Sequence, residues 1–257
     1  MGRKWGQNFL VSTQYARRIV DEADLSGTVL EIGPGRGILT RELLTRGVAA
    51  VHAVEIDPRL CEDLSTSTSE PRLRLHRSDI LDFDFDKLGE ARSFVVGNIP
   101  YQITSPLIER LLLEWHRWSG MVLMVQREVA DRICGRPRTR NYSALSVMVS
   151  TFAHAARAFD VHRRHFRPQP QVDSTVIVLR MRERPLVEAP ADYAAFLKAL
   201  FSQRRKKLSN SLKRLFEEAL PADYGWLDRD LRVEALSVDS IARLYEQIRA
   251  DPRAVLR

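Results

Sequence analysis

The sequence predicts an α/β protein with a mostly parallel, doubly wound sheet and a small all-helical C-terminal domain, on the basis of three observations. First, five short apolar strands alternate with helical segments, which is the pattern of a parallel sheet with helices on both faces. Second, two further strand-like segments at 158–162 and 172–181 give the sheet a mixed edge. Third, the composition changes at 184–190, with two prolines and alternating charge, and only helical patterns follow. We therefore expect domains at 1–184 and 185–257.

The individual elements follow from apolar spacing and from residues that start helices. Ser12 or Thr13 is a cap for the first helix, and Asp57 followed by Pro58 is a typical helix start. Apolar and β-branched runs predict parallel strands at 28–32, 49–54, 73–76, 95–98 and 121–125. Periodic apolar residues predict further helices at 38–46, 105–115, 127–133, 144–152, 193–201 and 237–249.

Charge and composition narrow the class of protein. The 40 Lys and Arg residues outnumber the 33 Asp and Glu residues, which gives a net charge of +7 and favours a polyanionic partner such as nucleic acid. Cys61 and Cys134 form no metal-ligand pattern, so we expect no metal site and a reducing, cytoplasmic environment. No apolar run approaches the length of a membrane helix, so we also expect no membrane-spanning segment.

A glycine-rich turn connects the first parallel strand to its helix. Gly33, Gly35 and Gly37 are spaced G-x-G-x-G, whereas dinucleotide folds use G-x-G-x-x-G and place a pyrophosphate over the helix N-terminus. Gly33 and Gly35 are candidates for ligand binding because glycine lets a ligand approach the backbone. Glu31 precedes the turn, and a carboxylate there repels a pyrophosphate but tolerates a cationic ligand. The alternative is a tight turn without a ligand.

Two acidic residues extend this candidate site along the carboxyl edge of the sheet. Glu55 ends the second strand about 20 residues after the turn, where a ribose hydroxyl is usually accepted. Asp79 follows the third strand, where its carboxylate can accept a hydrogen bond from an adenine amino group. Alone, Asp79 is more typical of a loop residue. Together with Gly33 and Glu55 it predicts S-adenosylmethionine, a nucleoside whose sulfonium is cationic.

The stretch 95–101 ends the fourth strand at Asn98, which is followed by Ile99, Pro100 and Tyr101. Proline lacks an N–H and restricts the residue before it, so the strand stops and opens here. Ligands of open α/β sheets bind outside the carboxyl ends of the strands. We therefore expect Asn98 and Tyr101 to lie where the reaction occurs, with a plain loop and a packed tyrosine as the alternative.

Three basic segments are candidates for contact with nucleic acid. One is the loop 135–141, and the second is 163–170, where we expect Phe166 to be an exposed stacking face for an unpaired base. The third is a basic helix at 203–214. Charge runs are often merely solvated, but the net positive charge favours contact with RNA or DNA. The candidate residues are Arg136, Arg138, Arg163, Arg164, Arg204, Arg205, Lys206 and Lys207.

Eight short motifs occur in order along most of the chain, and each is only weakly specific alone. They are 6–10 (GQNFL), 31–35 (EIGPG), 55–57 (EID), 98–101 (NIPY), 126–129 (QREV), 142–147 (YSALSV), 166–174 (FRPQPQVDS) and 203–208 (QRRKKL). As an ordered set they are highly specific. The set resembles the small-subunit (16S-type) ribosomal RNA adenine N6-dimethyltransferases, which are relatives of the erythromycin-resistance rRNA methyltransferases.

The resemblance implies a Rossmann-like methyltransferase that uses S-adenosylmethionine. It implies transfer of two methyl groups to N6 of each of two adjacent adenines in a hairpin near the 3′ end of small-subunit rRNA. The partner is then this rRNA or the immature small subunit, which the helical C-terminal domain contacts, and we expect a monomer. The implied cofactor contacts are Asn8, Leu10, Gly33, Glu55, Asp79 and Asn98.

The exocyclic nitrogen of adenine is a poor nucleophile because its lone pair is delocalised into the ring. We expect the side-chain oxygen of Asn98 and the carbonyl of Pro100 to accept its N–H groups and stabilise the charge that develops during transfer. Tyr101 and Phe166 are expected to stack on the two faces of the extruded base. No general base is required, since the methylated cation is acidic enough to lose its proton to water.

Other functions stay open at this point. A resistance-type enzyme that methylates large-subunit rRNA is the first, although 142–147 and 203–208 resemble the small-subunit type more closely. A DNA adenine methyltransferase usually carries a second proline where this chain has Ile99. A ribosome-assembly or transcription factor without catalysis is disfavoured by the intact candidate site, which contains Gly33, Glu55, Asp79 and Asn98. A nicotinamide dehydrogenase is disfavoured by the spacing of the glycine turn.

Overall fold

The structure is a computed structural model that describes residues 7–204, 206–212, 224–228 and 230–251. The chain divides into two compact units. The first comprises Met1–Ala130 with His154–Met181, and the second comprises Asp131–Ala153 with Arg182–Arg257. This division differs from the predicted boundary at 184/185 chiefly because Asp131–Ala153 groups with the C-terminal part of the chain.

A mixed sheet of seven strands forms the core of the fold. Its spatial order is β4-β3-β2-β5-β6-β9-β7, and a separate two-stranded sheet pairs β1 with β8. The five strands from β4 to β6 run parallel, and β9 runs antiparallel to β6, which confirms the mixed edge. The strands are β1 (Phe9–Leu10), β2 (Thr28–Ile32), β3 (Ala50–Glu55), β4 (Leu73–Arg77), β5 (Ser93–Asn98), β6 (Trp118–Gln126), β7 (Ala153–Val161), β8 (Phe166–Arg167) and β9 (Ser174–Met181).

The order of the parallel strands fixes where a ligand binds. From β2 the chain proceeds outward through β3 and β4, then returns to the other side of β2 with β5 and β6. The crevice between the carboxyl ends of β2 and β5 is therefore the switch point at which open α/β sheets bind ligands. Both strands are almost wholly buried, as strands covered on both faces must be.

Helices connect these strands and form the second unit. Asp57 caps the third helix as predicted, because its carboxylate accepts the N–H of Arg59 at 3.0 Å. The helices associated with the sheet are α1 (Thr13–Asp21), α2 (Ile38–Leu44), α3 (Pro58–Ser67), α4 (Thr104–Leu113) and α5 (Arg127–Ile133). Those of the second unit are α6 (Ala144–Phe152), α7 (Pro190–Phe201), α8 (Leu208–Leu212) and α9 (Val238–Ala250).

Several predicted elements differ from the structure. The short strands β1 and β8 were not expected, and β7 begins at Ala153 rather than at 158 because its exposed residues hide the strand pattern. The predicted basic helix at 203–214 is wrong over its first part, since 203 and 204 form a turn and α8 begins only at Leu208. Residues 213 and 214 lie outside the described part of the chain.

Candidate active site

A cavity of about 300 Å³ lies at the carboxyl ends of β2, β3 and β5. It is wholly within the first unit. Candidate residues from segments far apart in the sequence meet at this one cavity. The lining includes Asn8, Leu10, Gly33, Gly35, Glu55, Asp79, Asn98, Pro100 and Tyr101.

The glycine turn forms the floor of the cavity. Gly33 and Gly35 have φ values of +63° and +56°, which side chains rarely tolerate. A Cβ atom on Gly35 would lie 3.0 Å from the ring of Phe9, so the N-terminal segment closes directly over the turn. The N–H of Gly33 donates to the carbonyl of Val54 at 3.0 Å, which ties the turn to β3.

Glu55 at the end of β3 is held by backbone N–H groups. Its Oε1 accepts from Ile56 and Asp57, each at 3.0 Å, and its Oε2 accepts from Gly35 at 3.1 Å. Burial raises the pKa of this carboxyl, and the three N–H donors act in the opposite direction. The carboxylate is thus fixed in place, and Oε2 has room for one more donor, such as a ribose hydroxyl.

Glu31 does not face the cavity as its place before the turn suggested. Its side chain is 0% exposed, and neither carboxylate oxygen has a hydrogen-bond partner within the described residues. The neighbouring hydroxyl of Thr40 is also unpartnered there. Burial is the main cause that raises the pKa of Glu31 to about 7, with Thr40 acting against the increase and the nearby Glu55 adding to it. Glu31 is therefore a group beneath the turn that is partly protonated near neutral pH.

Asp79 sits in a tight turn after β4. Its Oδ1 accepts the N–H of Leu81 at 2.8 Å, and its carbonyl accepts the N–H of Asp82 at 3.1 Å. Ile56 and Ile80 line the same part of the cavity and supply apolar surface for a flat ring. One carboxylate acceptor and two apolar side chains thus line the same cavity.

Asn98 is oriented by a residue 90 positions earlier. Its Nδ2 donates to the backbone carbonyl of Asn8 at 3.0 Å. Because the amide nitrogen is engaged, the oxygen is the atom left to accept a proton donor at the cavity wall. Asn8 is held in turn by β1, in which Leu10 pairs with Phe166 of β8. This contact could not be found from local sequence, because it depends on the pairing of two very short strands.

The carbonyl of Pro100 already has two donors. The N–H of Ile103 donates to it at 3.2 Å, and the Thr104 hydroxyl donates at 3.3 Å. Thr104 is 1% exposed and has a second acceptor, the carbonyl of Tyr101, at 3.5 Å. For Pro100 to accept a target amino group, the hydroxyl must turn toward Tyr101. Thr104 was not among the residues predicted from the sequence, although its place three residues after the NIPY turn was a signal.

The two aromatic candidates have different environments. Tyr101 lines the cavity, and its hydroxyl is buried without a partner within the described residues, as is the nearby hydroxyl of Ser174. Burial raises the pKa of Tyr101. Phe166 is only 1% exposed and packs in the hydrophobic core, so the prediction that it is an exposed stacking face is wrong. Exposure of an aromatic in a basic loop depends on tertiary packing, and β8 places this one inward.

Two basic segments meet within the second unit. The guanidinium of Arg204 donates to the carbonyls of Arg140 and Tyr142 at 3.4 and 3.2 Å, which places the 135–141 loop beside the 203–207 segment. Lys207 is paired with Asp230 at 2.8 Å. Arg205 lies outside the described residues. The exposed cations of these two segments include Arg136, Arg138, Arg140, Lys206 and the paired Lys207.

The remaining basic candidates lie in the first unit. Arg163 and Arg164 are exposed on a short 3₁₀ turn between β7 and β8. The guanidinium of Arg163 donates to the carbonyl of Gln171 at 2.8 Å and stabilises the loop.

Over the described residues, no helix is long and apolar enough to cross a membrane, and no cluster of three or more His, Cys, Asp or Glu side chains could hold a metal.

Comparison with known proteins identifies the family. A sequence profile described as ribosomal RNA adenine dimethylase matches residues 2–250. The chain belongs to this family. It is 40% identical to ribosomal RNA small subunit methyltransferase A of Chlorobium phaeobacteroides, over 98% of this chain and 95% of the relative. It is 41% identical to the protein of the same name from Thermosynechococcus vestitus, over 96% of both chains.

Solved structures agree with this assignment. A dimethyladenosine transferase from Plasmodium falciparum has a TM-score of 0.81 at 25% identity, covering 96% of this chain and 99% of the other. The 23S rRNA methyltransferase ErmE has a TM-score of 0.70 at 30% identity, covering 94% of this chain and 100% of the other. The fold is therefore the predicted Rossmann-like methyltransferase fold. The chain is a methyltransferase of the rRNA adenine dimethylase family, which implies S-adenosylmethionine as the methyl donor.

Proposed function

We propose that this chain transfers methyl groups to N6 of two adjacent adenines in the 3′-terminal hairpin of small-subunit rRNA, and that it acts in small-subunit biogenesis. The observation that carries the N6 chemistry is the Asn98 amide, which is locked by the 3.0 Å bond from its Nδ2 to Asn8. The small-subunit target is supported by the 40% identity to ribosomal RNA small subunit methyltransferase A of Chlorobium phaeobacteroides. An amide held in this way presents an acceptor oxygen, which is what an amino group that becomes positively charged requires.

The cavity suits S-adenosylmethionine as the cofactor. Glu55 offers a fixed carboxylate for a diol, and Asp79 offers an acceptor for an adenine amino group in the cavity that Ile56 and Ile80 also line. The glycine turn lets the ligand approach the backbone, because Gly33 and Gly35 carry no side chain and adopt positive φ values that other residues rarely tolerate. When bound, S-adenosylmethionine supplies an activated methyl group on its sulfonium. We assign its contacts to Asn8, Leu10, Gly33, Gly35, Glu55, Asp79 and Asn98.

The chain's own contribution to the reaction is to hold and align the target base. Asn98 accepts one N–H of the adenine amino group, and the carbonyl of Pro100 accepts the other after the Thr104 hydroxyl turns to Tyr101. The two acceptors draw the nitrogen lone pair out of the ring and stabilise the developing positive charge. Tyr101 stacks on the base, which contributes roughly 1–3 kcal/mol. Alignment of the adenine nitrogen, the methyl carbon and the sulfonium sulfur supplies much of the remaining acceleration.

RNA binding follows from the exposed cations. Arg136, Arg138 and Lys206 in the second unit, and Arg164 in the first, are exposed and suited to phosphate contacts. Such contacts set register rather than sequence specificity, so recognition of the hairpin depends on its shape and unpaired bases. We also propose that the protein acts as a cytoplasmic monomer on the immature small subunit.

Methylation of large-subunit rRNA is the second candidate, favoured by the similarity to ErmE. The experiment that separates the two supplies labelled S-adenosylmethionine in parallel with undermethylated small subunits, large subunits and duplex DNA. We expect label at N6 of two adjacent adenines of small-subunit rRNA. Label confined to large-subunit rRNA, or incorporated into DNA, would contradict the proposal.

A further inference from the structure

The loop after β4, which contains Asp79, is held by an arginine from a distant helix. The guanidinium of Arg110 in α4 donates through Nη1 to the carbonyl of Ile80 and through Nη2 to the carbonyl of Phe83. Both carbonyls belong to the turn that follows Asp79. The planar fork of an arginine can bind two carbonyls at once, whereas a lysine ammonium on a flexible stem cannot fix both in the same way.

Aromatic packing fixes the arginine itself. The guanidinium carbon lies 4.2 Å from the centroid of the Phe85 ring, so it stacks on that face. Phe85 meets Trp118 edge-on at 5.0 Å, and the indole N–H of Trp118 donates to the carbonyl of Leu111 in α4 at 2.7 Å. The loop and α4 are thus joined at neighbouring positions of the helix, Arg110 and Leu111.

The same helix, α4, begins three residues after the NIPY turn at 98–101. Thr104, whose hydroxyl donates to Pro100, is the first residue of α4, and Arg110 lies about 9 Å farther along the helix axis. One rigid element therefore contacts both the turn that holds the target base and the loop that contributes Asp79 and Ile80 to the cavity.

We propose that Arg110 is a positioning residue for the cofactor's adenine. It fixes the carbonyls of Ile80 and Phe83, so that the Asp79 carboxylate between β4 and this turn keeps the position that the adenine amino group requires. Arg110 itself lies outside the cavity lining and acts through the loop. This inference rests on the proposed use of S-adenosylmethionine, and it assigns a determinant of base selectivity to a residue that no motif contains.

The test compares two ligands that differ only at the base. S-adenosylhomocysteine carries the adenine amino group, and S-inosylhomocysteine carries a carbonyl oxygen in its place. Dissociation constants of both are measured by calorimetry for the full chain and for Arg110→Met, Arg110→Lys and Arg117→Met. Arg117 is a matched control because it pairs with Glu114 and Asp86 and contacts neither Ile80 nor Phe83 through a hydrogen bond.

We expect Arg110→Met to bind S-adenosylhomocysteine about tenfold more weakly, while binding of S-inosylhomocysteine changes less than twofold. The preference for adenine therefore shrinks. Arg110→Lys is expected to bind S-adenosylhomocysteine about threefold more weakly than the wild type. Arg117→Met is expected to leave both dissociation constants within about twofold of the wild-type values. The turnover number at saturating cofactor should stay within twofold in all variants, because Arg110 acts on binding of the base and not on transfer.

Two results would overturn the inference. One is an Arg110→Met protein that binds both ligands as the wild type does. The other is an equal loss for both ligands, which a general loosening of the fold would produce. If Arg110→Met does not fold, Arg110→Lys, which keeps the charge and the stem, carries the same test. If the wild-type protein binds neither ligand, the proposed cofactor is wrong and the role of Arg110 falls with it.

Discussion

The two ends of the cavity are built in different ways. At the cofactor end, Glu55 is held by three backbone N–H groups, two of them from the residues that directly follow it. At the target-base end, Asn98 depends on a residue 90 positions away, and the carbonyl of Pro100 is occupied by Ile103 and Thr104. In the proposed function, the cofactor end is therefore ready to accept its ligand, whereas the base end must exchange hydrogen bonds when the adenine arrives.

This difference has a functional consequence. A fixed carboxylate binds the cofactor without reorganisation, so substitutions there should change affinity. Groups that accept the target amino group matter most when charge develops, so substitutions there should change the rate of transfer. The predictions below separate these two effects, and they also test which buried groups serve only the fold.

The largest effect is expected at Phe166, which the structure places in the core. Phe166→Ala should lower the free energy of unfolding by about 3–5 kcal/mol, because it removes a buried ring and leaves a cavity. Urea unfolding measures this change. A variant with wild-type stability that has lost methylation would instead indicate that the Phe166 ring stacks on the target base.

Glu31 should make stability depend on pH. Its pKa is raised from 4.5 to about 7 in the folded chain, so between these values the folded state binds more protons than the unfolded state. Stability must then fall as pH rises through this window, by on the order of 3 kcal/mol. Glu31→Gln should remove this loss. Urea unfolding at pH 5 and pH 8 measures the free energy of unfolding of both proteins. An equal change in this free energy between the two pH values would contradict the raised pKa of Glu31.

Glu55 sharpens the comparison at the cofactor end. Glu55→Gln removes a charged acceptor, and such hydrogen bonds are worth roughly 1.5–3 kcal/mol. The dissociation constant of S-adenosylhomocysteine should rise by about ten- to a hundredfold. The rate of transfer at saturating cofactor should change far less. Calorimetry and single-turnover kinetics measure the two quantities, and a rate defect with unchanged affinity would place Glu55 with the catalytic groups.

The smallest effect is expected at Thr104. Thr104→Val keeps the shape of this buried side chain but removes the hydroxyl that donates to Pro100. The carbonyl is then available to the adenine without a prior exchange, so the single-turnover rate should stay within about threefold of the wild type or rise. A loss of tenfold or more would show that the hydroxyl itself takes part in holding the base.

The same contrast explains what the sequence could predict. Glu55, Asp57 and the glycine turn lie at the ends of predicted strands, so strand boundaries alone placed them at one edge of the sheet. The environment of Phe166 could not be predicted, because it depends on pairing between β1 and β8, each only two residues long. Glu31 was placed at the ligand because of its position in the chain, whereas packing buries its side chain under the turn.

The contacts of Asn98 and Arg110 show most clearly what cannot be predicted from the sequence. Asn98 could be selected as a polar residue at a strand end, but its donation to Asn8 sets which atom remains to accept. Arg110 lies on an ordinary helix and belongs to no motif, and only the folded chain reveals that it reaches the carbonyls of Ile80 and Phe83. Local patterns thus identify the groups of the site, and long-range packing determines how they are held.

Asn98 is proposed to contact the cofactor, but the central claim is that its main role in the proposed function is in the transfer step. The direct test is Asn98→Ala, with single-turnover methylation of undermethylated small subunits and the dissociation constant of S-adenosylhomocysteine measured on the same protein. We predict a rate about 10²–10³-fold below that of the wild type, as for removal of one fixed electrostatic partner, with the dissociation constant within about threefold. A dissociation constant that rises in proportion to the loss of rate would contradict the claim.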